Sequence, residues 1–537
     1  MTDPNWWRGA TIYQIYPRSF QDSTGSGSGD LNGITSRLGH VADLRVDGIW
    51  ISPIFTSPMA DMGYDISNYR DIDPMFGTLE DFDRLIARAH ELGLKVMIDQ
   101  VLSHTSDKHP WFIESRASRD NPRADWYVWA DAQEDGSPPT NWISVFGGSS
   151  WEWDSIRRQY YLHNFLAAQP DLNYHNPDVQ QAMLDTVAFW CERGVDGFRL
   201  DACNYHFHDT ELRNNPPAPR SFGSSFIKAS NPYSFQKHDF DKSRPENVGF
   251  LERMRGVLDG FDGKASVGEI GDEERSVATT AAYTALGRLH MAYTFDLLGA
   301  AFSAEHIRSV VARFEAEVSE GWVGYSFSNH DVTRHVSRFA RDGEDPVALA
   351  KFCIMVLAAL RGTLFLYQGE ELGLPHAEVA FEDLNDPYGI RFWPGFKGRD
   401  GCRTPMVWTA QDPMGGFSDA YKTWLPVSPQ HLELAVDRQG TGSVMEHYKA
   451  VLGYRAVSEA LKAGALRFIE SEGDTLVIER SHAGATLWPC FNFGSEEARV
   501  PHPGGAPMEW ATAPEITGHV EGNAVVLPAR GVLYLTT

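Results

Sequence analysis

The sequence predicts a TIM barrel, the (β/α)8 form of the α/β class, with an inserted subdomain after strand 3, a second insertion after strand 8 and a C-terminal antiparallel β domain. Short apolar runs alternate with segments of helical period from residue 11 to about 370, and eight such runs can be counted. Alternation of this kind favours parallel βα units, and eight parallel strands close a barrel. A different pattern, with apolar and polar residues alternating between turns, begins near residue 465.

The eight predicted strands are short apolar runs whose last residues are often polar. They are TIYQIY (11–16), GIWIS (48–52), KVMIDQV (95–101), GFRLDA (197–202), ASVGEI (265–270), HMAYTF (290–295), VGYSFSN (323–329) and TLFLYQG (363–369). In a barrel of this kind the carboxyl ends of the strands surround the active-site mouth. Polar side chains at those ends are therefore expected to meet in one pocket.

Two of the intervening helices have clear signals at both ends. Before the third strand, Thr78 is a predicted N-cap and Gly93 a predicted C-cap; before the fourth, Asn176 and Pro177 begin a helix that Gly194 ends. Each helix has one apolar stripe. The stripes comprise Phe82, Leu85, Ile86 and Ala89 in the first helix, and Val179, Met183, Val187 and Trp190 in the second.

Two segments are too long to be simple connections. Residues 105–175 are rich in Trp, Asp, Gly and Pro, which predicts an inserted subdomain, and residues 373–445 have weak periodicity, which predicts a second, irregular insertion. The predicted division of the chain is barrel, first part, 1–104; inserted subdomain 105–175; barrel, second part, 176–372; second insertion 373–445; last barrel helix 446–464; and C-terminal β-sandwich domain 465–537.

Composition excludes several classes of partner. Acidic residues outnumber basic ones by 72 to 47, for a formal charge of −25, and there is no Lys/Arg-rich run suited to nucleic acid. The five cysteines are scattered without metal-ligand spacing, so neither a disulfide framework nor a zinc site is predicted. Without a signal-peptide pattern or an apolar stretch long enough to span a bilayer, a cytoplasmic protein with no membrane partner is expected. The sequence does not indicate the oligomeric state.

Charged residues lie at the carboxyl ends of four predicted strands. Asp99 and His104 end the third, Arg199 and Asp201 the fourth, Glu269 the fifth, and Asn329, His330 and Asp331 the seventh. Any one of these carboxylates could be a helix cap or part of a rim salt bridge. Several together in one pocket would raise one another's pKa, a destabilising arrangement that acid/base chemistry requires.

These segments resemble glycoside hydrolase family thirteen, the α-amylase family, over nearly the whole chain. DQVLSH, GFRLDA, VGEI and SNHD resemble the family's four best-known segments in the correct order, and GIWISP and YQGEELG resemble two more. The fragment QPDLN (169–173) is similar to a signature of the oligo-1,6-glucosidase and α-glucosidase branch. One such match would be weak, whereas this many in register are specific.

The resemblance implies a division of labour among the carboxylates. Asp201 would be the nucleophile, Glu269 the general acid/base, and Asp331 the third carboxylate, which would hold the sugar's 2- and 3-hydroxyls. A retaining glycosidase needs two carboxyl groups about 5–5.5 Å apart, one ionised and one protonated. Arg199 would keep Asp201 ionised, while desolvation or neighbouring negative charge would hold the proton of Glu269.

Five further residues are implied to bind the same glucose. His104 and His330 would hydrogen-bond it, although an isolated histidine is more often structural. In PMADMGYDISNY (58–69), Asp61 would contact the non-reducing end and Tyr64 would stack beneath the ring, where plain core packing is the alternative. Arg399, in GRDGCRTPM, would pair with Asp61 and close the pocket. A closed pocket implies exo action on terminal sugars.

Two features bear on substrate range. Ala202 follows the implied nucleophile, and in this branch alanine there tends to accompany α-1,4 rather than α-1,6 activity. The connection 203–247, which contains RNNPPAPRSFG, is long for a βα loop and would cover the aglycone side. A disordered surface excursion is the alternative for this loop.

One segment resembles a calcium loop of the branch. In DSTGSGSGDL (22–31) the side-chain ligands would be Asp22, Thr24, Ser26 and Asp30, with Ser28 offering its backbone carbonyl. Thr24 and Ser26 stand where Asn or Asp is usual, and calcium prefers several anionic oxygens. The alternatives are a weak structural Ca²⁺ or Mg²⁺ site and a loop that needs no ion. No cofactor or metal is expected for catalysis.

The expected function is therefore that of a retaining exo-acting α-glucosidase. Its partner would be a small oligosaccharide or α-glucoside, with α-1,4-linked, maltose-like substrates favoured and transglucosylation expected. Because water and other hydroxyls can both accept the glucose, a sucrose isomerase or glucosyltransferase is the nearest alternative. A non-catalytic binding protein related to the family is the other, and it would be expected to lack the carboxylates.

Overall fold

Eight parallel strands close a barrel in the computed structural model, which describes residues 3–219, 227–272 and 274–537. Their order around the barrel is β1-β8-β7-β6-β5-β4-β3-β2. The strands are β1 Thr11–Ile15, β2 Gly48–Ile51, β3 Lys95–Gln100, β4 Gly197–Leu200, β5 Ala265–Ile270, β6 Met291–Thr294, β7 Val323–Tyr325 and β8 Thr363–Tyr367. The predicted barrel is confirmed, and each strand lies within its predicted run.

The interior of the barrel is filled by large side chains, so a pocket can open only at one end. Ile12, Trp50, Met97 and Phe365, from four different strands, are at most 3 % exposed and form one apolar cluster. Polar residues follow directly where the strands end. The predicted runs were too long at this end, because Asp201 and the residues after Tyr325 lie in loops beyond the ladder.

Helices surround the barrel and connect its strands. They are α1 Leu31–Asp43, α2 Leu79–Glu91, α3 Pro110–Ala117, α4 Pro177–Glu192, α5 Asn247–Leu258, α6 Ser276–Tyr283, α7 Ala304–Glu317, α8 His335–Phe339, α9 Pro346–Ala359, α10 Pro387–Phe392, α11 Pro429–Leu432, α12 Val444–Val457 and α13 Glu459–Lys462. Thr78 caps α2 in a capping box with Asp81, and Asn176 caps α4, as predicted.

The two insertions lie after β3 and after β8. The first contains helix α3 and a three-stranded antiparallel sheet of Trp129–Ala130, Trp151–Asp154 and Gln159–Leu162. The second consists of short 3-10 and α helices joined by irregular chain. A hairpin of Phe55–Thr56 and Asn68–Ile72, which the sequence analysis did not identify, follows β2. The central part of the predicted 203–247 loop, residues 220–226, lies outside the described residues.

The C-terminal domain consists of two antiparallel sheets, which confirms the predicted antiparallel β domain. The orders are β9-β10-β11-β16-β13 and β12-β15-β14. The strands are β9 Ala465–Ile469, β10 Thr475–His482, β11 Ala485–Asn492, β12 Ala498–Pro501, β13 Ala506–Pro507, β14 His519–Glu521, β15 Ala524–Leu527 and β16 Val532–Thr536. The six domain limits given above stay predictions.

Candidate active site

Arg199 lies at the centre of a cluster of carboxylates at the carboxyl end of the barrel. One of its terminal nitrogens, Nη1, donates to Asp99 Oδ1 at 2.6 Å and to Asp201 Oδ1 at 2.7 Å. The other, Nη2, pairs with Glu269 Oε1. Strand register explains the meeting, because Asp99 in β3 and Val267 in β5 both lie beside Arg199 in β4. The predicted nucleophile and acid/base are therefore held by one guanidinium.

Glu269 has two further donors. The hydroxyl of Tyr293, its neighbour on β6, donates to Oε1 at 2.8 Å, and the backbone N–H of Ala202 donates to Oε2 at 3.1 Å. Ala202 has a φ of +40°, in the left-handed region that side chains other than glycine seldom occupy. The turn after β4 thus directs a backbone donor back to the carboxylate on β5.

The electrostatics of the cluster differ from the sequence expectation. Burial raises the pKa of Asp201, the negative charges of Glu269 and Asp99 raise it further, and Arg199 lowers it. Burial also raises the pKa of Asp99 to about 6, against the lowering effect of Arg199. The expectation that Arg199 keeps Asp201 ionised was incomplete, because one positive charge is divided among three carboxylates. Arg199 therefore opposes the effect of burial on the pKa of Asp201 without cancelling it.

Asp331 lies in the opposite environment. Burial alone would raise the pKa of Asp331. The charges of His330, Arg399 and Arg403 instead hold this pKa well below its usual range. Arg403 Nη2 donates to Oδ1 at 2.9 Å and Arg399 Nη1 at 3.3 Å. Asp331 is therefore ionised throughout the neutral range.

Arg399 closes one side of the pocket, as the resemblance implied. Its Nη2 donates to Asp61 Oδ1 at 2.7 Å and to Asp386 Oδ1 at 2.8 Å. These carboxylates and Asp331 raise the pKa of Arg399, although desolvation opposes them, so the guanidinium is permanently charged. Gln169 also donates to Asp61, at 3.2 Å. The ion pair of Arg399 and Asp61 joins the second insertion to the segment after β2.

The predicted sugar-binding aromatic and histidine residues lie together beside these carboxylates. The ring of Tyr64 stacks on that of His330, with centroids 5.4 Å apart, and its hydroxyl contacts His330 Nε2 at 2.5 Å. His330 Nδ1 contacts Gln14 Nε2 at 2.7 Å. His104 Nε2 contacts the backbone oxygen of Tyr64 at 3.0 Å, and burial lowers the pKa of His104 to about 4. Both imidazoles therefore have protein partners, which they would share with or yield to a sugar hydroxyl.

Part of this group lines a cavity with about 720 Å³ of empty space, which includes open solvent: Asp61, Tyr64, His104, Asp201, Glu269, Asp331 and Arg399. The rest of the lining is largely apolar and aromatic, with residues from the first inserted subdomain, the turn after β4 and the loop that follows it. These residues include Val145, Phe146, Phe165, Tyr205, Ile227 and Tyr233. Apolar pockets with a few convergent polar groups commonly bind small ligands.

Comparison with known proteins agrees with this geometry. A family model described as the catalytic domain of α-amylase matches residues 14–464. The chain belongs to the α-amylase family.

Several members of the α-amylase family are similar over almost the full chain. A probable α-glucosidase of Rhizobium meliloti is 54% identical over 540 residues, covering 99% of this chain and 97% of the relative. An oligo-1,6-glucosidase of Heyndrickxia coagulans is 38% identical, covering 84% and 85%. Among solved structures, the α-glucosyl transfer enzyme XgtA is 53% identical with a TM-score of 0.96, covering 99% of both chains. The trehalulose synthase MutB of Pseudomonas mesoacidophila is 30% identical with a TM-score of 0.87, also covering 99% of both.

The structure brings all nine residues predicted to act on the sugar into this one region of the barrel mouth. They are Asp61, Tyr64, His104, Arg199, Asp201, Glu269, His330, Asp331 and Arg399. Sequence reasoning missed Asp386, Arg403 and Tyr293, which contact these residues directly. Arg403 could have been noticed four residues after Arg399, in a short segment with three charges; Asp386 and Tyr293 have no local signal.

The loop that resembles a calcium site does not fit the ion. Asp22 Oδ1 accepts from the N–H groups of Thr24 and Gly25 and from the Thr24 hydroxyl, and its Oδ2 accepts from Gly27 N–H and the Ser418 hydroxyl. Protein donors thus occupy the anionic oxygens that calcium needs.

Asp30 and Ser26 are engaged in the same way. Asp30 caps α1 by accepting from Gly33 N–H and also accepts twice from Ser23, while the Ser26 hydroxyl donates to the Ser28 carbonyl. Within the described ranges, no three His, Cys, Asp or Glu side chains are grouped so that they could hold a metal ion. Of the two alternatives for this loop, the geometry favours the one without an ion.

Among the helices in residues 3–219, 227–272 and 274–537, none is both long enough and apolar enough to cross a membrane.

Proposed function

We infer that this protein is a retaining exo-acting α-glucosidase, with Asp201 as nucleophile, Glu269 as general acid/base and Asp331 as the carboxylate that binds the sugar hydroxyls. The observation that supports this most directly is that Arg199 contacts both Asp201 and Glu269. Two carboxyl groups held close together on one face are what a double displacement requires.

The first step transfers glucose to the protein. Asp201 attacks the anomeric carbon while Glu269 gives its proton to the leaving glycosidic oxygen, which leaves with the rest of the substrate. Positive charge that develops at the anomeric carbon in the transition state favours the ionised form of Asp201. The ionised Asp331 stabilises the same developing charge.

The second step releases glucose. Glu269, now ionised, takes a proton from water or from an acceptor hydroxyl, whose oxygen attacks the anomeric carbon and frees Asp201. Two inversions give net retention. Transfer to a hydroxyl is the second candidate activity, because two structural relatives are named for glucosyl transfer and for trehalulose synthesis.

The pair of Arg399 and Asp61 supports exo action on short substrates. It closes the pocket beside Tyr64, so a chain could not continue past the terminal sugar. Ala202 lines the pocket next to Asp201 and favours α-1,4-linked substrates. Maltose and related α-glucosides are the proposed substrates, and the protein is proposed to be cytoplasmic.

The stereochemical test follows glucose release from p-nitrophenyl α-glucoside by proton NMR, because maltose would also release its reducing-end glucose as a mixture of anomers. Retention predicts that the glucose released first is the α-anomer, before mutarotation, whereas initial β-glucose would exclude the double displacement. Parallel assays on isomaltose, sucrose and trehalose, with all products resolved, separate hydrolysis from transfer and isomerisation.

A pair of variants tests the roles. Asp201→Asn should lower kcat on every substrate by about a thousandfold or more, as loss of a nucleophile does. Glu269→Gln should impair maltose far more than p-nitrophenyl α-glucoside in the first step, because p-nitrophenolate leaves without a proton. Asp342→Asn, at an exposed aspartate, is the control. Equal losses on both substrates for Glu269→Gln would contradict the assignment, and a parent protein without activity would favour the binding-protein alternative.

A further inference from the structure

A second concave site lies outside the barrel mouth, between the start of α3, the hairpin strand Asn68–Ile72 and the exposed side of α4. It encloses about 1030 Å³ of empty space, which includes open solvent. We call it the Trp111–Trp126 groove; its walls include Tyr69, His109, Trp111, Arg123, Trp126 and Asp185. None of these residues takes part in the reaction described above.

Aromatic rings form the walls of the groove. The rings of Trp111 and Trp126 meet at 72° with centroids 4.8 Å apart, so they form an angled corner. His109 extends it, with its ring centroid 4.4 Å from that of Trp111. Arg123 lies over Trp126, 4.7 Å from the ring centroid. Aromatic side chains arranged in this way offer apolar faces with polar N–H groups at their edges.

Those N–H groups are unpartnered within the described part of the chain. His109 Nδ1 accepts from the backbone N–H of Trp111 at 3.1 Å, so the neutral ring carries its proton on Nε2. His109 is only 5 % exposed, and in the described residues its Nε2 has no hydrogen-bond partner. The indole N–H groups of Trp111 and Trp126 likewise have none there. In the described residues, none of these three N–H groups is a fully buried atom without a partner, so each is open to an acceptor that enters the groove.

Charge in the groove is balanced, which argues against an ionic ligand. Arg123 is paired with Glu114, and the exposed Arg70 lies on the same groove as the exposed carboxylate of Asp185. Burial lowers the pKa of His109 to about 3, so this ring adds no positive charge near neutral pH. A ligand that fits must be neutral, must have an apolar face for the indoles and must offer hydroxyl oxygens to the donors.

A pyranose ring meets all three conditions, since its axial C–H bonds form an apolar face and its hydroxyls project around the edge. We propose that the Trp111–Trp126 groove is a second saccharide-binding site, which takes a neutral glucosyl unit separately from the catalytic pocket. Recognition of a pyranose by the groove does not depend on the reaction; only the choice of α-glucosides as probes rests on the proposed function.

Tyr69 links this groove to the catalytic pocket. Its ring lies 6.4 Å from that of Trp111, and its hydroxyl contacts the backbone oxygens of Val101 at 2.9 Å and His104 at 2.6 Å. The segment that carries His104 into the pocket is therefore supported by a wall of the groove. Saccharide binding at the groove is therefore the primary measurement, and a change in the KM of the catalytic reaction is the secondary one.

The test is isothermal titration of the Asp201→Asn protein with maltotriose, which this variant should bind without turnover. Two sites per chain are expected, and adding Trp111→Ala should leave one. Ala182→Phe is a second variant for the groove, because it projects a ring from α4 into the groove while both tryptophans stay; it should weaken the second site by at least about tenfold. Trp153→Ala, which removes a 44 % exposed indole of the same subdomain, is the matched control and should keep both sites.

Each outcome is decisive. A single site in the Asp201→Asn protein that Trp111→Ala and Ala182→Phe leave unchanged would overturn the proposal, as would two sites that persist in both groove variants. If maltotriose binds only at the groove, seen as binding lost in Ala182→Phe, the groove proposal stands and the proposed function fails. Activity of Trp111→Ala on p-nitrophenyl α-glucoside should equal that of the parent, which also reports that the variant is folded.

Discussion

Arg399 depends on a residue that no motif identified. Asp386 accepts from its Nη2 at 2.8 Å, its Nε at 3.2 Å and its backbone N–H at 2.7 Å. Asp386 is fully buried. Burial would raise the pKa of its carboxyl group, but Arg399 holds that pKa below the usual value. Asp386 thereby orients the guanidinium between Asp61 and Asp331, and is a positioning residue.

Asp386→Ala should therefore raise KM for maltose more than it lowers kcat. Loss of charged hydrogen bonds costs about 1.5–3 kcal/mol, which corresponds to a rise of about 10- to 100-fold. The carboxylate pair on Arg199 is untouched, so kcat should change less. Steady-state kinetics on maltose measure the split, with the exposed Glu382→Ala as control. A fall in kcat at constant KM would contradict the positioning role.

Asp99 sets part of the negative charge beside Asp201. Burial raises the pKa of Asp99 to about 6, and its charge in turn raises the pKa of Asp201. A raised folded-state pKa means that the protonated form is favoured, so the stability contributed by Asp99 is lost as pH rises through about 6. Asn at this position would lack both effects.

Asp99→Asn should thus move the acidic limb of kcat/KM to lower pH. With one negative neighbour removed, Asp201 loses its proton at a lower pH and the nucleophile is available earlier. The loss of stability between pH 5 and 7 should also be smaller than in the parent. The pH profile on p-nitrophenyl α-glucoside and urea unfolding at both pH values measure these effects; a limb that stays in place or moves upward would be the contrary result.

At the residue scale, sequence reasoning identified the site residues that lie in recognisable motifs. It missed residues whose contacts with the site arise only when the chain is folded. Asp201, Glu269 and Asp331 lie next to recognisable apolar runs. Tyr293 could not be chosen from HMAYTF, because its contact with Glu269 arises only when β5 and β6 are adjacent. The sequence predicted both the lowering effect of Arg199 on Asp201 and the raising effect of neighbouring carboxylates, but the balance between the two depends on distances that only the fold supplies.

Among the elements, strand cores were predictable and strand ends were not. Apolar runs identify all eight barrel strands, since burial on both faces demands them. The ends depend on which backbone groups still find a neighbour in the ladder, and in GFRLDA pairing stops at Leu200, so Asp201 is free to turn into the pocket. The strand Asn68–Ile72 was missed because only two of its five residues are buried.

The Gly/Ser loop from Asp22 to Asp30 replaces ion coordination with hydrogen bonds. Because protein donors occupy the oxygens of Asp22, EDTA should leave the thermal midpoint unchanged and added Ca²⁺ should not raise it. Asp22→Ala should lower the free energy of unfolding by about 1–3 kcal/mol, since its five donors lose their acceptor. Differential scanning fluorimetry with and without chelator makes the comparison, and a drop in EDTA that Ca²⁺ reverses would restore the metal site.

On the scale of the whole molecule, the C-terminal domain is part of the barrel's support. Helix α9 is buried on almost all sides, because one face packs on the barrel and the other meets aromatic residues of β11 and the residue after it. Tyr534 on β16 donates to the backbone oxygen of Met355 in α9 at 2.6 Å. The C-terminal domain therefore contacts the barrel part of the chain directly through α9.

Arg480, in β10, is one of the polar links between them. It is fully buried and donates from Nη1 to the Ala359 carbonyl at 2.7 Å, from Nη2 to Gly464 at 3.0 Å and from Nε to Ala465 at 3.3 Å. These carbonyls lie where α9 ends and where the chain enters the C-terminal domain. A guanidinium with several fixed donors ties these two backbone segments to β10.

Arg480→Ala should lower the free energy of unfolding by at least about 3 kcal/mol, because it removes charged hydrogen bonds and leaves buried carbonyls without a donor. Arg467→Ala is the matched control: this arginine lies on the neighbouring strand β9, where it pairs with Glu479 at the surface, and the urea midpoint should hardly change. Deleting residues 465–537 should prevent folding altogether, since it uncovers the apolar outer face of α9. If the shortened protein instead unfolded cooperatively and kept its activity, the barrel would be independent of the domain that covers it.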